Sequence, residues 1–282
     1  MSIDLDFLSR TYFWFDLPVE YKLKNKNVVK IYPISVKDSE MFLSWIDILT
    51  IDKNSLPNPE YISMSYLEFI IKTLLTSEDK DIAQSATSKL VFILKLCLKW
   101  EDDVSIRVND IGKPVLVHGD IEINGKSFED IRRIILYQNI LDFDDSYINP
   151  DLKQAMAEVD EVKSKDLVFP TLERKFAIVS SHSGITKAQQ LEMTYRSHSA
   201  LFKEVCNEVE FISARTGVMV GNMFSKQKIE FEDWVYKKKR SKYEDYFTTQ
   251  DSYSKSMGGS VRPVAEIDGN MLNNLEINSF IN

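Results

Sequence analysis

Glycine and proline are scarce: nine and eight residues in a chain of 282. An all-β sandwich or barrel needs many tight turns, so the shortage argues against one. It also removes the usual glycine-rich phosphate loops, and no Walker, Rossmann or kinase signature is present. Cysteine is nearly missing. Cys97 and Cys206 lie far apart in apolar helical contexts, and read as buried free thiols of a reducing compartment. The three histidines, His118, His182 and His198, fall in no metal-ligand frame; His198 and Cys206, eight apart, are more than two helical turns from each other. Long hydrophobic runs are also lacking. The longest, Leu90–Leu98, is broken by Lys95 and is too short to span a bilayer. The N-terminus has no apolar signal region. Positive charge is in deficit: the net charge is −8. Nucleic-acid binders usually carry a basic domain, so any basic surface here must be local. These absences predict a soluble protein of the cytosol with no membrane partner, and speak against nucleic acid.

What remains is enough to fold. At 44% hydrophobic and 11% aromatic the chain can bury a sizeable core. The periodicities predict a mainly α, α+β fold: a helical bundle with a small β-meander around residues 101–126 and an extended N-terminal segment. Residues 1–100 read as a strand-plus-helix region. Residues 101–160 hold the meander and the helix that follows, 167–245 form a C-terminal helical region, and 246–282 a flexible tail. Within the first region, Tyr12–Phe15 and Val28–Ile34 look extended. Ser39–Thr50 has Phe42, Trp45, Ile46 and Leu49 on one helical side. Pro57 and Pro59 mark a break, and Met64–Thr76 and Asp81–Trp100 are further helices. Asn124-Gly125 is a hairpin signal. Helices are expected over about 151–162 and 171–181, with Asp160–Asp166 as a charged linker. Thr186 caps a long helix to about Arg215, ended by Gly217 and Gly221, whose stripe includes Leu191, Tyr195, Phe202, Val205, Val209 and Ile212.

No cluster carries recognisable chemistry, so no catalytic, cofactor-binding or metal-binding residue is expected and the chain reads as non-enzymatic. An EF-hand loop starting at Asp142 would need glycine at position six and glutamate at position twelve; the chain has Tyr147 and Lys153. Asp142, Asp144 and Asp145 are better read as a solvated acidic turn. Ser180–Ser183 with its central His182 lacks a nucleophile elbow and reads as a helix end. Phe176–Phe202 has a helix-turn-helix outline, and Thr186, Lys187, Gln189 and Gln190 are types that can contact bases. Two packed helices of a bundle give the same outline and are preferred. Glu230–Arg240 is a short aromatic-basic helix. Its Trp234, Tyr236, Lys237, Lys238, Lys239 and Arg240 are assigned to a protein partner, because the surrounding acidity opposes phosphate binding and aromatics anchor protein contacts.

The most informative stretch is Ser127–Leu152, SFEDIRRIILYQNILDFDDSYINPDL. Ser127 can cap a helix whose Phe128, Ile131, Ile134 and Ile135 share one face, with Arg132 and Arg133 off it. Gln138 and Asn139 end it before the acidic turn. This R-x-I-I-L-x-Q-N helix and D-x-x-x-x-N-P-x-L turn resemble those of tail-assembly chaperones of phages of Gram-positive bacteria. Val28–Asp38 (VVKIYPISVKD), Ile185–Phe202 and Phe231–Lys242 (FEDWVYKKKRSK) add to the likeness. The resemblance implies a helical, non-enzymatic protein of the host cytoplasm that binds the tape-measure protein or other tail components, such as the tail tube, during virion morphogenesis. It allows a homo-oligomer. A structural tail or baseplate protein and a helix-turn-helix regulator are the alternatives. For the chaperone reading, the client-facing parts are Tyr12–Phe15 and the chain after Thr248; the competing reading of Tyr12–Phe15 is core.

Overall fold

The structure is a computed structural model that describes residues 3–56, 58–146, 148–165 and 168–224. The chain is mainly helical, with eleven α-helices and two small antiparallel sheets among the described residues. A short helix α1 (Leu5–Thr11) precedes a hairpin of β1 (Val19–Lys22) and β2 (Val28–Ile31), in which Val19 pairs with Ile31. Then come α2 (Ser39–Trp45), α3 (Asp47–Thr50), α4 (Pro59–Ser63), α5 (Tyr66–Ile70) and the 19-residue α6 (Lys80–Leu98). The expected meander is present as β3 (Ser105–Val108), β4 (Pro114–His118) and β5 (Ile121–Asn124). It leads into α7 (Gly125–Asn139), followed by α8 (Pro150–Ser164), α9 (Leu172–Ser183), α10 (Lys187–Glu192) and α11 (Tyr195–Phe224).

One cluster of buried apolar side chains runs from Phe13 to Leu136, and α7 lies within it. Phe128, Ile131, Ile134 and Ile135 are all buried, as their spacing predicts. The cap is different. Asn124, not Ser127, accepts the backbone N–H groups of Lys126 and Ser127, at 3.1 and 3.0 Å. Ser127 is itself buried inside the helix. Asn124-Gly125 therefore opens a helix instead of turning a hairpin. Glycine is required there for a second reason: a Cβ at Gly125 would lie 2.4 Å from Ser65 Oγ. The meander's own turns use Gly112 and Gly119, both at positive φ.

Arg132 is also not on the outer face. It is buried, its Nε donates to Leu49 O at 2.7 Å, Nη1 pairs with Glu129 at 2.9 Å, and its guanidinium lies 3.9 Å from the Tyr66 ring centroid. A planar cation stacked on an aromatic ring, with Nε and Nη1 hydrogen-bonded, can be desolvated at tolerable cost.

Other boundaries shift for local reasons. Ser39–Thr50 is two helices meeting at Ile46. Pro59 is the first residue of α4, capped by Asn58, since proline has no N–H to lose there. Met64–Thr76 begins with a Ser65–Glu68 capping box and relaxes into a π-helical turn over Ile71–Leu75. The Asp160–Asp166 linker is helical through Ser164, while Asp166 lies outside the described residues. The long helix after Thr186 is interrupted at Met193-Thr194. There the backbone pairs across the fold: Val36 N–H donates to Met193 O at 2.9 Å, and Tyr195 N–H to Ile34 O at 2.9 Å. Helix resumes as α11 and passes straight through Gly217 and Gly221. The predicted Glu230–Arg240 helix and the tail after Thr248 lie outside the described residues.

Burial raises the phenols of Tyr21, Tyr66 and Tyr137, the first two furthest. Tyr21, which donates to Asp130 Oδ2 at 2.7 Å, is pushed up to about 12 by burial and then by that carboxylate. Tyr66 is also pushed to about 12 by burial, against the pull of Arg132. Both native values exceed the ordinary value of about 10, so the folded state holds these protons more tightly. Their contribution is complete below about pH 10 and is lost as the pH rises through 12. Tyr21→Phe is expected to flatten the fall in melting temperature across that window. An identical alkaline decline in wild type and variant would refute the assignment.

Candidate protein-binding surface

The aromatic run at the N-terminus is split by geometry. Asp4 caps α1 by accepting Phe7 N–H at 2.9 Å, and Phe13–Phe15 then form one 3₁₀ turn. With three residues per turn, successive side chains point about 120° apart, so three aromatics in a row cannot share a face. Phe13 enters the core at 2% exposure, while Trp14 and Phe15 stand out at 62% and 65%. Phe7 and Leu17 are also exposed. The expected extended strand over Tyr12–Phe15 is thus a tight turn, and its residues divide between core and surface.

The turn is held from behind by distant parts of the chain. Asp16 adopts a left-handed conformation with φ of 57°. Its carboxylate accepts from Thr194 Oγ1 at 2.5 Å and from Ser197 Oγ at 2.8 and 2.9 Å. Leu17 N–H donates to Tyr12 O, and Leu17 O accepts from Gln138 Nε2 at 3.0 Å. Arg196 Nη1 reaches Tyr137 O at 2.8 Å, tying the start of α11 to the end of α7. Gln138 and Asn139, read as helix enders, are both buried and both join distant segments. Exposed rings on a backbone fixed by this many bonds lose little freedom on contact, which suits a docking surface.

The acidic turn is more structural than expected. Asp145 is bound by Arg133 at 2.7 and 3.0 Å and by Tyr137 Oη at 2.7 Å. Burial works to raise its carboxyl, but the Arg133 and Tyr137 hydrogen bonds outweigh it and hold the group below the usual carboxylate range. Asp142 pairs with Lys203 at 2.9 Å, and Asp144 accepts from Ser146. Asp142 and Asp144 are exposed and fit the solvated reading; the Asp145 side chain, 21% exposed, does not. A cavity of about 270 Å³ beside this turn is lined by Tyr66, Glu129, Arg132, Asp145 and Lys153. Of its cations, Arg132 pairs with Glu129 and Lys153 with Asp52 at 2.5 Å, while Lys53 Nζ donates to the carbonyls of Tyr61 and Ile62, both at 2.9 Å.

The residues proposed for base contact are largely occupied. Gln190 is fully buried, and its amide donates to Phe176 O, Ser180 Oγ and Ile185 O. Its Oε1 lies 2.9 Å from Nε2 of the buried His198, whose pKa is lowered, first by burial and then by Lys175. Gln189 and Thr186 close a capping box on α10. Ser180 and Ser183 bond to backbone carbonyls at the end of α9, as a helix end would. Cys97 is buried, with its thiol pushed up to about 12 by burial, but Cys206 is exposed, because α11 is leaving the body at that point.

Trp234, Tyr236, Lys237, Lys238, Lys239 and Arg240 lie outside the described residues. Phe7 and Leu17 were not legible as surface residues. The sequence signals for α1 are Asp4 as a cap, Asp6 in its first turn and Arg10 in its last. Among the described residues no group of three or more His, Cys, Asp or Glu side chains is placed to hold a metal ion, and no helix is long and apolar enough to cross a membrane. No protein-family model, curated protein or solved structure matches this chain.

Proposed function

We propose that this chain is a non-enzymatic tail-assembly chaperone of the host cytoplasm, which binds the tape-measure protein or another tail component during virion morphogenesis. The observation that carries the reading is the exposed pair Trp14 and Phe15 on a turn fixed by Asp16, Thr194, Ser197 and Gln138. Aromatic side chains on a rigid backbone are the usual anchors of protein–protein contacts. A client rich in apolar helix gives such anchors a face to pack on. The resemblance of Ser127–Leu152 to tail-assembly chaperones supports the same reading. The α7 part of that segment builds the core, so it speaks to fold kinship and leaves the binding to Trp14 and Phe15.

The test is co-purification from infected cells. Replacing both Trp14 and Phe15 by alanine should strip the bound tail protein from the chain. The melting temperature should move little, because exposed substitutions cost within about 0.5 kcal/mol. Retention of the client by the double variant would refute this surface. Purified particles give a second reading: a chaperone is absent from them, while a fixed copy number would mark a virion component. Replacing Lys237–Arg240 by glutamates asks separately whether the basic segment contributes to the same contact.

A further inference from the structure

We infer that the outer half of α11 pairs with the same helix of a second copy of this chain. The helix is 30 residues long, about 45 Å, and Val205 is its last buried residue among those described. His198, Phe202 and Val205 follow each other at spacings of four and three. The same alternation continues through Val209, Ile212, Thr216, Met219 and Met223. A sustained 3.5-residue spacing is the mark of a seam between helices, narrower than the stripe of a helix lying on a globular core.

The inner half of this seam is already filled. Phe176 of α9 packs edge-on to His198 at 5.3 Å, and Lys175 Nζ lies 5.6 Å from the Phe202 ring. Helix α9 begins at Leu172, one turn before Phe176, so the partner within the chain runs out near the level of Val205. Beyond that level the seam continues without α9. Val209, Ile212, Met219, Val220 and Met223 are between 40% and 75% exposed.

Three features favour a second copy as the occupant. The outer seam continues an established helix–helix contact in the same spacing, and a 3.5-residue face matches another such face. Charge gives little basis for selecting a different partner, since Glu210 and Arg215 are the only charged residues between Val209 and Met223. Area comes close: from their exposures these side chains offer on the order of 500 Å² per copy, so a pair buries about 1,000 Å². With flanking atoms that approaches the roughly 1,200–2,000 Å² of stable interfaces. This pairing is independent of the client contact at Trp14.

Light scattering and sedimentation equilibrium on the full chain test it. Wild type should show twice the mass of one chain at micromolar concentration. Ile212→Glu combined with Met219→Glu should show the mass of one chain, with the melting temperature of the wild type diluted to a monomer. Met219→Lys alone, at a single exposed position, should weaken the dimer at least tenfold if the double variant proves unstable. A wild-type monomer at about 100 μM, a concentration at which even micromolar affinities are saturated, would overturn the proposal. So would a dimer that survives these substitutions. A monomer that dimerises only after removal of residues 225–282 would also overturn it, by showing that the chain's own C-terminal segment covers the seam.

Discussion

Ile135→Ala should lower the stability of the fold by about 2–5 kcal/mol, the usual cost of deleting a large apolar side chain from a closed core. Ile135 is fully buried in the middle of α7, and α7 packs against α1, β2, β5, α5 and α11. A cavity there cannot close by moving one neighbour, because the neighbours come from both ends of the described chain. At about 2–4 °C per kcal/mol for a domain of this size, the melting temperature should fall by roughly 5–20 °C. Ile111→Ala is the control. Ile111 is exposed at the tip of the β3–β4 hairpin, and its truncation should cost no more than about 0.5 kcal/mol. Equal effects at the two positions would mean that α7 is not the centre of the core.

Asn139 should be nearly as sensitive, for a different reason. It is fully buried; its Oδ1 accepts the Ile34 N–H at 2.8 Å and its Nδ2 donates to Ile135 O at 2.9 Å. Asn139→Leu removes both bonds and leaves a buried N–H without an acceptor, at a cost of about 2–4 kcal/mol. Asn139→Asp keeps the acceptor for Ile34 but sets a carboxylate oxygen against Ile135 O. Burial raises the pKa of the introduced carboxyl in the folded state. A raised folded pKa makes the contribution greatest at low pH and smallest above it. Asn139→Asp should therefore regain stability between pH 7 and pH 4 relative to wild type, while Asn139→Leu should show no such recovery. Chemical denaturation at the two pH values distinguishes them, and an equal, pH-independent loss in both variants would show that a protonated carboxyl does not restore the bond to Ile135 O.

The sequence was most legible where a pattern is short-range. Phe128, Ile131, Ile134 and Ile135 lie within two helical turns, and their spacing reports burial directly through periodicity. The alternation of Val104–Val108 marked a strand but not its burial, since Ser105–Val108 is exposed throughout. Legibility failed where the deciding partner is remote. The burial of Arg132 depends on Leu49 O and the Tyr66 ring, more than sixty residues away. The break at Met193-Thr194 depends on Ile34–Val36. Asn124-Gly125 suits both a hairpin and a helix cap, and the side-chain cap from Asn124 with the close approach of Ser65 to Gly125 separates the two. At the candidate surface, Tyr12–Phe15 was visible as an aromatic run torn between core and client. Which rings turn outward follows from a 3₁₀ geometry that hydrophobicity alone does not encode.

The bond between Asp16 and Thr194 spans 178 residues. Ribosomes add about 5–20 residues per second, so on the order of ten to forty seconds separate the synthesis of these two partners. Throughout that interval the aromatic turn exists without half of its anchoring. Local contacts such as α1 and the β1–β2 hairpin form in microseconds, so the N-terminal rings are presented on a loosely held backbone long before Thr194 and Ser197 arrive to fix them. The stiff surface of the finished protein is therefore among the last features the nascent chain acquires.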